Sequence, residues 1–123
     1  MATWTNNELA RIERADELQM EPVRVDGMPP SSVPIWVVRD GDDLYVRSFR
    51  GQDGGWYRAA VASGTGHVRS GGVDKDVALV AATDGVVNDR IDAAYRTKYS
   101  RYGARYVDPL VASRDTTLKL VPR

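Results

Sequence analysis

The chain has 123 residues, a length typical of one domain rather than two. Its 17 lysines and arginines balance 17 aspartates and glutamates, so no net charge is available to hold nucleic acid or an anionic membrane, and we expect neither as a partner. With no cysteine and one histidine, the sequence excludes disulfides, thiol nucleophiles and cysteine-ligated zinc, and leaves no histidine cluster for a catalytic metal.

The N-terminal segment predicts a capped helix. Its first residues, MATWTNN, lack the pattern of a signal peptide, and no apolar run is long enough to span a bilayer, so we expect a cytoplasmic protein. Thr5 is placed to cap the amide of Glu8, whose side chain returns to Thr5. The helix is predicted to run to about Leu18, and residues 22–26 are predicted to form the first strand.

The middle of the chain contains the clearest hairpin. Two strands and the aspartate- and glycine-rich turn between them are predicted at residues 34–39, 44–49 and 40–43. Because side chains alternate along a strand, we expect Trp36 and Val38 on one face and Ile35 and Val37 on the other, with one of these faces in the core.

The remaining elements alternate between helices and strands. They are a glycine-rich loop at 51–55, a short helix at 56–61, strands at 66–70 and 77–83, a long helix at 87–102 and a last strand at 116–121. Together with the hairpin they predict a small α+β barrel or a strongly bent sheet.

The only histidine lies in a segment that resembles a dinucleotide loop. The third glycine position of that loop holds Arg69, and no helix is predicted to follow, which favours a turn leading into a strand. His67 has no acid or nucleophile beside it in the sequence, so we expect a surface or strand histidine.

A group of polar and aromatic residues after the hairpin is typical of an anion site. Its members are Arg47, Ser48, Arg50, Gly51, Trp56 and Arg58. Arginine binds phosphate oxygens through two parallel hydrogen bonds, glycine lets backbone amides approach an anion, and tryptophan offers a flat face to a fused ring. The alternative is that these arginines pair with nearby aspartates, namely Asp40, Asp42, Asp43 and Asp53.

The long predicted helix presents one face rich in tyrosine. At 100° per residue, six side chains fall within about 140° of arc: Ile91, Ala94, Tyr95, Lys98, Tyr99 and Tyr102. This face is either part of the core, with the Lys98 stem lying between rings, or the wall of a ligand cavity. Tyr106 extends the same surface past Gly103.

Several segments resemble the bacterial family known as domain of unknown function 2255. They are PIWVV at 34–38, GDDLYVRS at 41–48, RG at 50–51, Trp56, Arg58, DAAYRTKY at 92–99, and the segments at 4–18 and 116–122. The resemblance covers essentially the whole chain and implies no settled activity.

More distantly, the chain is similar to split-barrel proteins of the deazaflavin-dependent nitroreductase and pyridoxamine-phosphate-oxidase-like group. The resemblance places Arg47, Ser48, Arg50 and Gly51 in a region that holds cofactor phosphates, and Trp56, with Arg58 nearby, at the border of the cofactor ring. It also implies a wall made by Tyr95, Tyr99 and Tyr102, and a homodimer with cofactor pockets between subunits.

We therefore expect a single domain over residues 1–123, an antiparallel split barrel of about six strands with an N-terminal helix and a long helix in its second half. The first function hypothesis is a reductase of small organic molecules that binds FMN or deazaflavin F420. The others are a cofactor-free carrier or sensor of a small ligand, or an isomerase or cyclase. Trp36 and Tyr95 are expected to contact ligand, and Lys98, Tyr99 and Tyr102 to supply acid–base chemistry.

Overall fold

Seven antiparallel strands form one sheet that curls into a nearly closed barrel in the computed structural model, which describes residues 3–123. Met1 and Ala2, part of the start considered above for a signal peptide, lie outside the described residues. The strands are β1 (Leu18–Pro22), β2 (Val33–Ile35), β3 (Val37–Asp40), β4 (Asp43–Val46), β5 (Thr65–Ser70), β6 (Val73–Ala81) and β7 (Leu118–Pro122). Their order in the sheet is β2-β1-β5-β6-β7-β4-β3, so the α+β barrel expected from the sequence is confirmed.

A bend at Trp36 closes the barrel. The two strands at opposite ends of the sheet order, β2 and β3, are consecutive in the chain with only Trp36 between them. Before the bend Ile35 pairs with Leu18 of β1, and after it Val37 pairs with Val46 of β4. The expectation of about six strands is therefore corrected to seven, because the bend divides the single strand predicted at 34–39.

Four α-helices accompany the sheet. They are α1 (Asn6–Arg14), α2 (Gly55–Ser63), α3 (Gly85–Lys98) and α4 (Ala104–Ala112). The predicted cap of α1 is confirmed, since the Glu8 amide donates to Thr5 Oγ1 at 3.1 Å and the Thr5 amide to the Glu8 carboxylate at 2.9 Å. No helix in the described part of the chain is long and apolar enough to cross a membrane.

Several predicted boundaries were wrong. The helix α1 ends at Arg14 and the first strand is Leu18–Pro22 rather than residues 22–26, because alternate side chains from Leu18 onwards point into the core. Strand β6 starts at Val73, and α3 ends at Lys98 instead of continuing to Tyr102. The helix α4 was not predicted.

Two apolar clusters stabilise the fold. The first fills the barrel with side chains from every strand and from α1 and α2. The second lies between the barrel wall and the helices α3 and α4. Val37 belongs to the first cluster and Ile35 packs against it. Val38 belongs to the second cluster and Trp36 packs against that one. The predicted alternation of side chains is therefore confirmed across the bend.

Candidate functional site

A cavity of about 540 Å³ opens where the end of β4, the start of α2, strand β2 and helix α4 meet. This volume lies within the usual range for small-molecule sites. Four aromatic side chains line it, Trp36, Phe49, Trp56 and Tyr106, together with aliphatic side chains from β2 and α4. Its polar lining comes from one short segment, Arg47, Ser48 and Arg50. The cavity is therefore apolar and aromatic with one polar end.

The polar end contains a buried hydroxyl without a partner. Ser48 is fully buried, and its Oγ makes no hydrogen bond with any described residue. The hydroxyl lies against Gly54, where a Cβ atom would overlap it. Because a buried hydroxyl without a hydrogen bond is costly, this geometry is suited to a ligand that accepts a hydrogen bond.

The first turn of α2 lies beside this hydroxyl. Gly54 is the N-cap of α2, and no side chain caps the helix. The first amides of a helix have no acceptor within the helix, and they carry the positive end of its dipole. Gly54 and Gly55 both line the cavity, and Ser48 Oγ lies against Gly54, so the start of α2 and this hydroxyl are neighbours. The arrangement is suited to an anion such as a phosphate group.

Of the residues predicted to bind an anion, some line the cavity and others lie outside it. Arg50 lines it, is exposed to solvent, and takes part in none of the ion pairs found within residues 3–123. Gly51 lies outside the lining, with φ +65° and an amide that donates to the Ser48 carbonyl at 3.0 Å. Arg58 is exposed on α2 and also lies outside the lining. Gly51 shapes the turn, and Arg58 does not reach the cavity.

The guanidinium group of Arg47 is committed to the interior of the protein. It is buried and forms an ion pair with Asp92 of α3 at 2.6 Å. Its Nε donates to Thr117 Oγ1 at 2.9 Å and its Nη2 to Asn88 Oδ1 at 2.9 Å. The prediction that Arg47 binds a cofactor phosphate is therefore corrected, because these internal acceptors occupy its donors. The alternative, in which Arg47 pairs with an aspartate, is observed, but its partner is Asp92 of α3 and not one of the nearby aspartates that the sequence suggested.

Tyr95 of α3 and Tyr99, the C-cap residue of this helix, belong to the core. Tyr95 and Tyr99 are fully buried in the second cluster and do not line the cavity. The Tyr95 hydroxyl donates to the Trp36 carbonyl at 3.0 Å, and burial raises its pKa. The Tyr99 hydroxyl lies 2.7 Å from the Asp16 carbonyl and 3.0 Å from the Val37 carbonyl, and burial raises its pKa as well. The expected ligand contact of Tyr95 is therefore corrected.

Lys98 and Tyr102 complete this network on its outer side. The Lys98 ammonium donates to the Val37 carbonyl at 2.8 Å and lies 5.1 Å from the centre of the Tyr99 ring. Burial lowers the pKa of Lys98 to about 8. The Tyr102 hydroxyl donates to the Asp16 carboxylate at 2.7 Å. Lys98, Tyr99 and Tyr102 thus lie together but outside the cavity, so the acid–base role predicted for them is not part of the site.

Trp36 joins the cavity to this tyrosine network. Its ring stacks on that of Tyr99 with centroids 4.0 Å apart and planes within 2° of parallel. The Tyr102 ring lies 5.0 Å away at a tilt of 39°. Trp36 also lines the cavity, with the two tyrosine rings behind it, and its contact with a ligand stays a prediction.

His67 lies apart from the cavity on β5. Its two ring nitrogens contact the carboxylates of Asp76, at 2.7 Å, and Asp74, both on the neighbouring strand β6. These contacts raise the pKa of the histidine, with the hydrogen bond to Asp76 as the largest cause. His67 is a strand histidine as predicted. Within residues 3–123 no cluster of three or more ligating side chains is arranged for a metal ion.

Eight of the residues that line the cavity were not among the predicted site residues, including Phe49, Gly54, Tyr106 and Leu110. Phe49 and Tyr106 line the cavity with about half of each side chain exposed, and Gly54 and Leu110 complete its walls. Phe49 could have been found as an aromatic between two predicted site residues, Ser48 and Arg50. Leu110 had no such signal, because its helix was not predicted.

Comparisons with known proteins agree with this fold. A family model described as "Uncharacterized protein conserved in bacteria (DUF2255)" matches residues 8–120. A search of curated protein sequences gave no match.

Solved structures of other proteins superpose on the whole barrel. A candidate pyridoxamine 5′-phosphate oxidase from Listeria innocua is 16% identical, with a TM-score of 0.67 over 96% of this chain and 92% of that one. An FAD-binding protein from Mesorhizobium loti is 14% identical, with a TM-score of 0.65 over 99% and 92%. An F420 reductase is 19% identical, with a TM-score of 0.58 over 93% and 91%. At these identities the likeness shows the fold.

Proposed function

This chain belongs to the bacterial family DUF2255, and we propose that it is a cytoplasmic split-barrel protein that binds a flavin or deazaflavin by its phosphate and reduces a small organic molecule. The observation that carries the proposal is the buried, unpartnered Ser48 hydroxyl beside the uncapped start of α2, at one end of an aromatic cavity. The fold shared with an FAD-binding protein and an F420 reductase supports the same ligand class.

The residues at the polar end fit a phosphate group. Ser48 Oγ would donate one hydrogen bond, and the first amides of α2 would donate others, aided by the helix dipole. Arg50, exposed and without a carboxylate partner in the described chain, would approach from the solvent side. Among residues 3–123, no carboxylate lines the cavity to oppose the anion.

The aromatic walls fit a flat ring system. Trp56 lies in the first turn of α2, directly after the phosphate end, so a ring joined to the phosphate by a short chain would lie near it. Trp36, fixed by its stack on Tyr99, offers a second flat surface. Phe49 and Tyr106, each about half exposed, stand at the open side where a substrate would enter.

These contacts suggest which roles belong to the cofactor and which to the protein. When bound, a flavin or deazaflavin supplies the hydride-transfer chemistry. This chain would bind the phosphate, orient the ring between tryptophans, and exclude water with apolar side chains from β2 and α4. Because the cavity is open on one side, we also propose that a second subunit completes it in a homodimer.

The test is a titration of the purified protein with FMN and with F420, followed by absorbance and by quenching of tryptophan fluorescence. We expect saturable binding of one of them, weakened about 10- to 100-fold by Arg50→Ala, the range of a charged hydrogen bond. The matched control is Arg96→Ala, which removes an exposed arginine of α3 outside the cavity.

The same titration discriminates between the functions. Absence of binding to both cofactors would contradict the proposal and favour a cofactor-free barrel that binds another small anion. Equal affinity of the Arg50→Ala variant and the native protein would remove Arg50 from the site.

A further inference from the structure

The last turn of α4 is bonded to the barrel through one side chain. Besides its contacts to Asp92, Asn88 and Thr117, Arg47 donates from Nη1 to the carbonyls of Leu110 at 3.2 Å and Val111 at 3.4 Å. The last carbonyls of a helix have no donor within the helix and carry the negative end of its dipole. The Leu110 carbonyl also accepts from the Ser113 amide, at 3.1 Å. A buried arginine is therefore well suited to hold this end of α4.

The helix α4 has little stability of its own. It has nine residues, and its N-cap, Gly103, supplies no side-chain hydrogen bond. Pro109 lies inside it, so one backbone hydrogen bond of the helix is missing. Isolated helices of this length are unstable in water. The position of α4 must therefore come from its tertiary contacts.

Those tertiary contacts decide the shape of the cavity. Val107 and Leu110 pack into the second apolar cluster, while Tyr106 and Leu110 form the wall that α4 gives to the cavity. Arg47 holds the carbonyl of Leu110 itself, one of the wall residues. A movement of the helix at this point would therefore change the wall directly.

We infer that Arg47 is a positioning residue: part of it lines the cavity, but its guanidinium group holds α4 in place as a wall and does not bind the ligand. The inference deepens the proposed function, on which its ligand measurements rest. It differs from the role implied by resemblance, in which Arg47 binds the cofactor phosphate.

Two variants separate this role from a general loss of stability. Arg47→Lys keeps a cation beside Asp92 but lacks the donors that reach the remaining acceptors. Arg114→Ala is the matched control, because the Arg114 side chain donates to the same carboxylate, at 3.1 Å, and its other hydrogen bonds go to Asp89 and Gly85 rather than to α4. Both remove one arginine from Asp92, and only the first releases α4.

The affinities for FMN and for riboflavin, which lacks the phosphate, give the first readout. We expect Arg47→Lys to weaken both by the same factor, about tenfold. Arg114→Ala should leave both within about twofold, well below the effect of one charged hydrogen bond. A loss for FMN alone would overturn the inference, because it would make Arg47 a phosphate ligand.

Hydrogen exchange of residues 104–112 gives a second readout that needs no ligand. We expect faster exchange in this segment for Arg47→Lys, relative to the strands, and no such change for Arg114→Ala. Unchanged exchange of the segment in Arg47→Lys would overturn the inference. If the native protein binds neither flavin, the proposed function fails while this measurement still decides the role of Arg47.

A second variant keeps the test valid if Arg47→Lys does not fold. Thr117→Val removes the acceptor of Arg47 Nε and leaves the ion pair with Asp92 intact. The same two measurements then apply, with changes of the same sign and smaller size. Native exchange in residues 104–112 of that variant would count against the inference.

Discussion

Two polar side chains illustrate how burial alone does not identify a functional residue. Ser48 Oγ is buried at the cavity and has no partner in the described chain, so a ligand can satisfy it. The Lys98 ammonium is half-buried but already bonded to the Val37 carbonyl, and it lies outside the cavity. The shifted pKa of Lys98 therefore reports packing rather than chemistry.

The packing role of Lys98 predicts a pH effect on stability. Burial lowers its pKa from 10.5 to about 8 in the folded protein, so between these values the unfolded chain binds more protons and native stability rises with pH. Lys98→Met lacks this titration. The native protein should therefore gain roughly 1–2 kcal/mol relative to the variant between pH 7 and pH 10.5, less than the full shift because solvent screens this partly exposed group.

Denaturant unfolding of both proteins at the two pH values measures this difference. The ligand affinity of Lys98→Met should equal that of the native protein at pH 7. Lost ligand binding in a folded Lys98→Met variant would return Lys98 to the site.

At the scale of elements, the β5–β6 hairpin contains its own charge cluster. His67 lies opposite Asp76 in the register, contacts Asp74 two residues earlier on β6, and has Glu21 of β1 on its other side. Arg69, two residues along β5, is the nearest cation on this strand and lies opposite Asp74. The protonated imidazole therefore faces three carboxylates from two neighbouring strands.

This cluster predicts stabilisation at acidic pH. The pKa of His67 is raised in the folded protein, so its contribution is fully present below the unfolded value of 6.5 and is lost as pH rises through the folded value. His67→Gln should lower the unfolding free energy at pH 5.5 by up to about 1 kcal/mol, the range of exposed ion pairs, and have less effect at pH 9. Urea unfolding at both pH values tests this, and an equal loss at both would contradict it.

At the scale of the whole molecule, the bend at Trp36 is both the closure of the barrel and a wall of the cavity. The backbone there pairs with β1 on one side and β4 on the other. The Tyr95 hydroxyl is bonded to the Trp36 carbonyl, and the ring of Tyr99 covers the indole. Stability and ligand binding are thus joined at one residue.

Truncation of this side chain should affect both properties. Trp36→Ala removes the stack on Tyr99 and should lower the unfolding free energy by roughly 2–3 kcal/mol, less than a fully buried aromatic because part of the ring is exposed. It should also weaken flavin binding. Trp36→Phe keeps an aromatic ring and should retain most of both, as measured by thermal unfolding and by titration. An unchanged melting temperature in Trp36→Ala would contradict the role in closure.

Local patterns were enough to predict several elements from the sequence alone. The contacts of Thr5 and Glu8 span one helical turn, and the alternation across residues 35–38 follows from strand geometry, so both were predictable. The family and the barrel followed from motifs that extend over most of the chain. Five predicted site residues line one cavity, namely Trp36, Arg47, Ser48, Arg50 and Trp56, and ligand binding at this cavity stays a prediction.

Only the tertiary structure decided which of the candidate residues face that cavity. Arg47 meets Asp92, 45 positions later, and Tyr95 and Tyr99 meet carbonyls 59 and 62 positions earlier, so no local spacing distinguishes a ligand contact from a core contact. The helix α4 was not predicted because Pro109 disfavours a helix in this segment. The helix is stabilised there by its packing and by the hydrogen bonds from Arg47. Long-range burial determines which polar atoms are satisfied inside the protein, and so which remain for a ligand.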